Sequence, residues 1–358
     1  MKQLTVLHID FEKTWRGGQQ QLFWLVEGLS KKGHKNFVVC RPESALQKKL
    51  AESNSDFFSV NMLFELDPLA IYKTSKIINK IKPDVVHLHS AHAHAIGLLA
   101  SKISKHKSKI VSSRRVDFHI KSKRKYAGVD RIIAISEGVK KVLLADGIDG
   151  KKISVVHSGV DLSRFENVNG DYLYGELKIK KGAKIVGIVA SLAPHKDHEN
   201  FLKAAVLIKK EIPDVKFLIV GAGGLKDKLM KLVERLGVRD FVSFTGFRKD
   251  VPQLLTVFDV FVLSSYLEGL CTSVIDASAS GVPVVATDVG GVGEIISNGV
   301  NGILVPPGNP EALAAAVASV LKNENIGKKF ADAGRIKSKE FSKEKMAAGT
   351  EKVYSELI

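Results

Sequence analysis

Residues 260–291 read Val260-Phe261-Val262-Leu263-Ser264-Ser265-Tyr266-Leu267-Glu268-Gly269-Leu270-Cys271-Thr272-Ser273-Val274-Ile275-Asp276-Ala277-Ser278-Ala279-Ser280-Gly281-Val282-Pro283-Val284-Val285-Ala286-Thr287-Asp288-Val289-Gly290-Gly291. The first four residues are an apolar run of strand length, halted by a polar turn that contains Gly269. A helix is expected from about Thr272, ended by Gly281 and Pro283, and residues 282–286 form a second apolar run. Strand, turn, helix and strand in that order is the building unit of a parallel sheet, because two parallel strands can be joined only by a crossover.

The same unit recurs on both sides. Apolar runs alternate with longer amphipathic stretches, so strands are expected at residues 4–9, 36–40, 85–88, 109–112, 131–135 and 153–157. In the second half they are expected at 184–189, 215–220, 241–244, 260–263, 282–286 and 302–305. Each half reads as its own doubly wound α/β domain. The polar stretch 161–182, with Asn167, Asn169, Gly170 and a lysine patch at 178–181, lacks any sustained period and reads as the linker. The expected division is 1–165 and 166–341, with a last helix at 342–358; the closing segment 340–358 carries Phe341, Met346, Val353, Tyr354 and Leu357 as its apolar side.

Composition agrees with this division. The 358 residues are 45% hydrophobic and 26% charged, ordinary for a folded two-domain chain, and no stretch reaches the ~18 apolar residues of a membrane span. The opening residues run from one lysine straight into a strand-like segment without an export signal, so a cytoplasmic protein is expected. Cys40 and Cys271 are too far apart in sequence to suggest a disulfide framework or a cysteine metal cluster. The net charge is +16, and it is uneven: residues 1–160 carry +14 and residues 161–358 carry +2. One half therefore meets something anionic, whether nucleic acid, a membrane surface or a phosphorylated substrate.

In two doubly wound units, the carboxyl ends of the strands are where glycine turns and helix N-termini present backbone N–H groups to anions. The first strand leads into Trp15-Arg16-Gly17-Gly18-Gln19, which on its own reads as an ordinary tight turn. Residues 215–220 lead into Gly221-Ala222-Gly223-Gly224, half of a dinucleotide fingerprint whose third glycine is out of place, so an NAD enzyme is not expected. Residues 184–189 lead into Ser191-Leu192-Ala193-Pro194-His195-Lys196. There Lys196 is either a diphosphate ligand or a solvated surface lysine. Asp276 lies one helical turn inside its helix, on the side of Glu268, eight positions earlier. One carboxylate can hold sugar hydroxyls and the other ribose hydroxyls while helix N–H groups take phosphate.

The 268–283 segment resembles the signature of the family 4 retaining glycosyltransferases of GT-B fold, Glu-Gly-x-x-x-x-x-x-Glu-Ala-x-Ala-x-Gly-x-Pro. Gly17-Gly18, Ile135-Ser136-Glu137-Gly138-Val139 and His157-Ser158-Gly159-Val160-Asp161 through Phe165 resemble other motifs of that family. So do Phe244-Thr245-Gly246-Phe247, Phe258-Asp259-Val260 and Asn301-Gly302-Ile303-Leu304-Val305-Pro306-Pro307-Gly308, all in family order. The resemblance spans nearly the whole chain. It implies two Rossmann-like domains facing across a cleft, with the last helices crossing back onto the first domain, and a nucleotide diphosphate sugar as co-substrate, with no cofactor and no metal.

Carried over by position, the resemblance implies that Lys196 binds the donor diphosphate, with Gly17, Gly18, Ser191, Gly221 and Gly223 lining the donor site. Glu268 would contact the donor sugar, Gly269, Leu270, Cys271 and Thr272 the sugar and phosphates through backbone N–H groups, and Asp276 the ribose. Phe247 and Arg248 would hold the base. Three positions depart from the pattern. Asp276 stands where the family has Glu, and Ser191 where it commonly has Arg. Where the family places a cleft histidine this chain reads Ser113-Arg114-Arg115-Val116-Asp117-Phe118-His119, so Arg114 or Arg115 is expected to supply catalytic positive charge, bidentate to diphosphate oxygens.

The run His87-Leu88-His89-Ser90-Ala91-His92-Ala93-His94 also ends a strand. Acceptor binding by His89, His92 or His94 and a hydrogen-bonded structural role stand side by side; no carboxylate or cysteine is near to complete a zinc set. Residues 102–125 hold ten Lys or Arg against Asp117 alone. That is either a solvated loop or a contact with an anionic membrane, where each basic group contributes up to ~1 kcal/mol. The expected function is sugar transfer, with retention implied by the resemblance, to a lipid-linked or envelope glycan in lipopolysaccharide or surface polysaccharide assembly. The enzyme would be peripheral on the inner face of the cytoplasmic membrane. The alternatives are a GT-B epimerase or hydrolase and a non-catalytic nucleotide-sugar binder. Nucleic-acid binding is not expected, since no stacking platform accompanies the basic residues.

Overall fold

Thirteen parallel strands form two sheets in the computed structural model, which describes residues 2–120, 122–180 and 182–358. Lys121 of the basic segment and Lys181 of the lysine patch lie outside the described residues. The first sheet contains β1 (Thr5–Ile9), β2 (Lys35–Cys40), β3 (Phe57–Ser59), β4 (Val85–Leu88), β5 (Lys109–Arg114), β6 (Arg131–Ala134) and β7 (Ile153–Val155), in the order β3-β2-β1-β4-β5-β6-β7. The second contains β8 (Lys184–Val189), β9 (Val215–Val220), β10 (Val242–Gly246), β11 (Val260–Leu263), β12 (Val284–Thr287) and β13 (Ile303–Val305), in the order β10-β9-β8-β11-β12-β13.

Each of the twelve runs read as strands forms one. They were legible because strands covered on both faces need apolar residues at consecutive positions. In β1, Val6 joins the core under the helices Gly17–Lys31 and Lys343–Ser355, whereas Leu7 joins the core under Pro68–Ile81 and Ala91–Ile103. β3 went unread: three residues on a sheet edge, none of them fully buried, leave no periodic signal.

The chain divides into one unit of residues 1–159 with 343–358 and a second of residues 160–342. The stretch read as a linker is built into the second unit. Leu173 is fully buried on the short helix Tyr172–Glu176, and a Cβ on Gly170 would lie 2.3 Å from the Gln253 carbonyl oxygen. Two apolar anchors, Leu173 and Ile179, are too sparse to register as a period.

The helix Lys343–Ser355 packs within the first unit. Glu351 is buried and accepts from Lys32 Nζ at 2.5 Å and from His34 Nε2 at 3.0 Å, and these two donors hold its carboxyl below the usual range although burial pushes the other way. Tyr354, with no exposed surface, places its hydroxyl 2.5 Å from His87 Nδ1. Among the described residues no helix is long and apolar enough to cross a membrane.

Candidate functional site

Each sheet reverses its strand order once, between β1 and β4 in the first and between β8 and β11 in the second. At such a reversal the loops leaving two adjacent strands diverge to opposite faces and open a crevice at the carboxyl edge. The candidate residues gather at these two places.

In the second unit the loops after β8 and β11 are braced together. Ser264 Oγ donates to the Lys196 carbonyl oxygen at 2.9 Å, Tyr266 N donates to the His195 carbonyl oxygen at 3.0 Å, and Thr287 Oγ1 donates to the Ser265 carbonyl oxygen at 2.6 Å. The braces aim Lys196 Nζ at Glu268 Oε1, 2.6 Å away, and the same carboxylate oxygen accepts from Ser265 Oγ at 2.6 Å. Glu268 is buried and Lys196 partly buried. Residues 72 positions apart in sequence thus share one ion pair. Gly269 and Leu270 lead to Cys271, which sits at φ 67°, a left-handed conformation costly for a residue with a Cβ, and the helix Thr272–Ser280 begins immediately after it. Burial pushes the Cys271 thiol up to about 12, so it is no nucleophile. Asp276 lies on that helix. Burial raises its carboxyl to about 7, with the Arg164 charge pulling it back.

Three other donor candidates make close contacts within the unit. A Cβ on Gly221 would lie 1.9 Å from the Ala190 carbonyl oxygen, and one on Gly223 would lie 2.5 Å from the Leu192 carbonyl oxygen. Both glycines let the β9 turn press against the β8 turn, which Leu192 N secures by donating to the Ala222 carbonyl oxygen at 3.0 Å. Their direct contact is with the loop that bears Ser191 and Lys196. Arg248 donates to both oxygens of Asp250, at 2.8 and 2.6 Å, and to both oxygens of Glu176, so its fork is committed within the unit. Its neighbour Phe247 stands out in solvent, 74% exposed.

In the first unit Gly17 and Gly18 open the 15-residue helix Gly17–Lys31. A pocket of ≈ 280 Å³ lies in front of them, lined among others by Gly18, Gln19, His89, Arg114 and Arg115. Asp10, one residue past β1, was missed from the sequence. It is buried, accepts from Gln19 Nε2 at 3.2 and 3.1 Å and from Glu12 N at 2.9 Å, and burial raises its carboxyl to about 6. An acidic residue at the carboxyl end of a first strand was the available signal.

Beside it runs a chain of hydrogen bonds with one direction. Arg115 has only donors, so its Nη2 donates to His89 Nδ1 at 3.4 Å. His89 Nε2 then donates to His8 Nδ1 at 3.1 Å, His8 Nε2 to Asn36 Oδ1 at 3.2 Å, and Asn36 Nδ2 to Ser30 Oγ at 3.0 Å. Both histidines are neutral in this arrangement, in keeping with burial, which lowers His8 to about 4 and His89 well below its ordinary value. His87 bonds Tyr354 and, through Nε2, Ser113 Oγ at 2.8 Å. The ring nitrogens of His8, His87 and His89 lie within metal-binding reach of one another, but each has a hydrogen-bond partner and a guanidinium stands alongside.

His94 Nε2 donates to the Lys125 carbonyl oxygen at 2.7 Å and Nδ1 pairs with Ser112 Oγ at 3.0 Å. His89 is also bonded at both nitrogens, and His92 is partly buried on the helix Ala91–Ile103; His89 and His94 line the pocket of the first unit. Arg114 donates to the Phe118 carbonyl oxygen. The basic segment is not one patch. β5 runs through it, so Lys102, Lys105 and Lys107 precede the strand at the amino edge of the sheet, whereas Lys123, Arg124 and Lys125 come after it on the single turn Lys123–Tyr126.

Comparison with known proteins supplies independent findings. The family model described as Glycosyltransferase Family 4 matches residues 15–164, and that described as Glycosyl transferases group 1 matches residues 174–337. The UDP-Gal:alpha-D-GlcNAc-diphosphoundecaprenol alpha-1,3-galactosyltransferase of Escherichia coli is 26% identical over 307 residues, covering 79% of each chain. Among solved structures, a glycosyltransferase from Rickettsia africae superposes with a TM-score of 0.89 at 23% identity, covering 100% of this chain and 99% of that one. The Anabaena protein HepE in complex with UDP and glucose superposes with a TM-score of 0.86 at 21% identity, covering 99% and 100%.

Proposed function

Because this chain belongs to the glycosyltransferases of family 4 and group 1, with the GT-B fold, we propose that it moves a sugar from a nucleotide diphosphate sugar, with retention, to a hydroxyl of a lipid-linked or surface glycan. The observation that carries the donor side is the Lys196–Glu268 pair at the strand-order reversal of the second sheet. A lysine held by a buried carboxylate has a fixed position before substrate arrives, and its positive charge suits diphosphate oxygens. Glu268 suits the hydroxyls of the donor sugar, Asp276 the ribose, and the N-terminal N–H groups of Thr272–Ser280 the phosphates.

Catalysis in this reading is electrostatic. As the bond from the anomeric carbon to the diphosphate breaks, negative charge grows on the departing oxygen, and Lys196 stabilises it from a position set by Glu268; in the first unit Arg115, held by His89, is a further cation suited to anionic substrate groups. The acceptor hydroxyl attacks from the side on which the diphosphate departs and gives its proton to the departing diphosphate oxygen, so the new bond keeps the donor's configuration. The Escherichia coli relative carries a diphosphoundecaprenol substrate in its name, which supports a membrane-borne acceptor here, with the protein peripheral at the cytoplasmic face. The reaction needs no resident cofactor.

The test incubates the protein with a panel of nucleotide sugars and a diphosphate-lipid glycan, reading product mass and anomeric configuration by NMR. A glycosylated lipid with the donor's configuration is expected. Free sugar or an epimerised nucleotide sugar formed without acceptor would replace this reading with hydrolysis or epimerisation.

A further inference from the structure

Residues 63–72 carry five large apolar side chains that the fold leaves in water: Leu63, Phe64, Leu66, Leu69 and Tyr72 are each between 55% and 73% exposed. They are held there by an ordered turn. Asp67 is buried and accepts from Leu63 N at 3.0 Å, Leu69 N at 2.9 Å and Ala70 N at 3.2 Å, while its own N–H donates to the Phe64 carbonyl oxygen at 3.2 Å. Val60 and Met62 are buried beneath the turn. Contiguous apolar exposure of this kind marks an interaction surface.

What covers the surface follows from its shape and charge. Leu69, Tyr72, Lys73, Lys76 and Lys80 are spaced by 3, 4, 7 and 11 from the first and share one stripe of the helix Pro68–Ile81. The apolar residues come first and the exposed lysines behind them, with Lys76 Nζ 5.3 Å from the centre of the Tyr72 ring. Glu65 is the acidic residue exposed at the tip. A protruding apolar tip with cations set back from it matches a bilayer, where acyl chains lie deeper than anionic headgroups. The turn follows β3, which puts it on the carboxyl edge of the first sheet. The exposed Val116 and Phe118 follow the end of β5 on that same edge.

We propose that Leu63, Phe64, Leu66 and Leu69 insert into an anionic leaflet, with Lys73, Lys76 and Lys80 at the headgroups, seating the first unit on the membrane that holds the acceptor. The inference deepens the reading of a membrane-borne acceptor and rests on it. It is tested by co-sedimentation of the full chain with phosphatidylcholine vesicles, with and without phosphatidylglycerol, while transfer to a detergent-solubilised acceptor is followed separately. Binding is expected only with phosphatidylglycerol. Leu63→Ser with Phe64→Ser should weaken it by ~10- to 100-fold, with the melting temperature and detergent-phase transfer unchanged. Lys328→Glu with Lys329→Glu, both exposed in the second unit, should leave it unchanged. Loss of binding in the second pair but not the first, absence of vesicle binding in the unaltered protein, or dimerisation in solution that the first pair abolishes would each overturn the wedge. Vesicle binding without any sugar transfer would instead overturn the transferase reading and leave the wedge standing.

Discussion

Lys196 and Glu268 form an ion pair of 2.6 Å in which the carboxylate is buried and the lysine partly so. Each partner therefore fixes the other. Removing one alone leaves a buried charge uncompensated, so the two substitutions are expected not to add. Lys196→Ala should lower kcat by ~10²–10³-fold. A double-mutant cycle with Glu268→Ala, followed by thermal unfolding, should give a coupling of about 0.5–3 kcal/mol. Additive losses would show that the two act independently.

The Arg115–His89 contact makes a second expectation. His89→Ala removes the acceptor of the guanidinium N–H and frees the side chain to move, and a displacement of ~1 Å can cost ~10²-fold in rate. His89→Asn offers an oxygen near the place of Nδ1 and should recover most of kcat. Steady-state kinetics on both variants decide it: equal losses in the two would assign His89 to packing alone.

The pH dependence of stability carries the signature of Asp276. Burial raises its carboxyl from 3.8 to about 7, so between roughly pH 4 and 7 the native state keeps a proton that the unfolded chain has released. Stability from this group is therefore greatest at the acid end of that window and declines as pH rises through it. Asp276→Asn abolishes the decline. The variant and the unaltered protein should melt together below about pH 4, with the variant higher at pH 8 by about 2–4 °C for each ~1 kcal/mol relieved. Asp10 titrates in both proteins and cancels. Parallel melting curves from pH 5 to 8 would place Asp276 in a solvated setting.

Gly221 makes a prediction of the opposite kind. At φ 148°, with the Ala190 carbonyl oxygen 1.9 Å from where a Cβ would sit, Gly221→Ala has no rotamer that relieves the clash. Unfolding monitored by circular dichroism should show a loss above ~3 kcal/mol. Gly224→Ala, which meets nothing within 4 Å, should unfold like the unaltered protein.

The fold was legible wherever a strand is buried on both faces, since such strands must be apolar without interruption. Phe57–Ser59 and the residues around Leu173 were not, the first too short and the second too sparsely anchored to be read as a period. In the site, Lys196 and Glu268 could be named singly from their strand ends, but their pairing depends on β8 and β11 being neighbours, which strand order decides and composition does not. The same holds for His8 and His89, which meet because β1 lies beside β4. The bonding of Arg248 was hidden for a related reason: its partner Glu176 comes from a segment read as linker.

The first unit is also discontinuous in the chain. Residues 343–358 belong to it, yet they leave the ribosome only after the whole of 160–342. At a synthesis rate of ~5–20 residues per second the delay is roughly 10–40 s. Throughout it the surface around Trp24 and Leu25 that the last helix covers stays open, and His87 lacks the Tyr354 hydroxyl. The second unit has all its residues before the first does, so the domain begun first is completed last. Until then the nascent chain presents a greasy, unfinished face of the kind that chaperones bind.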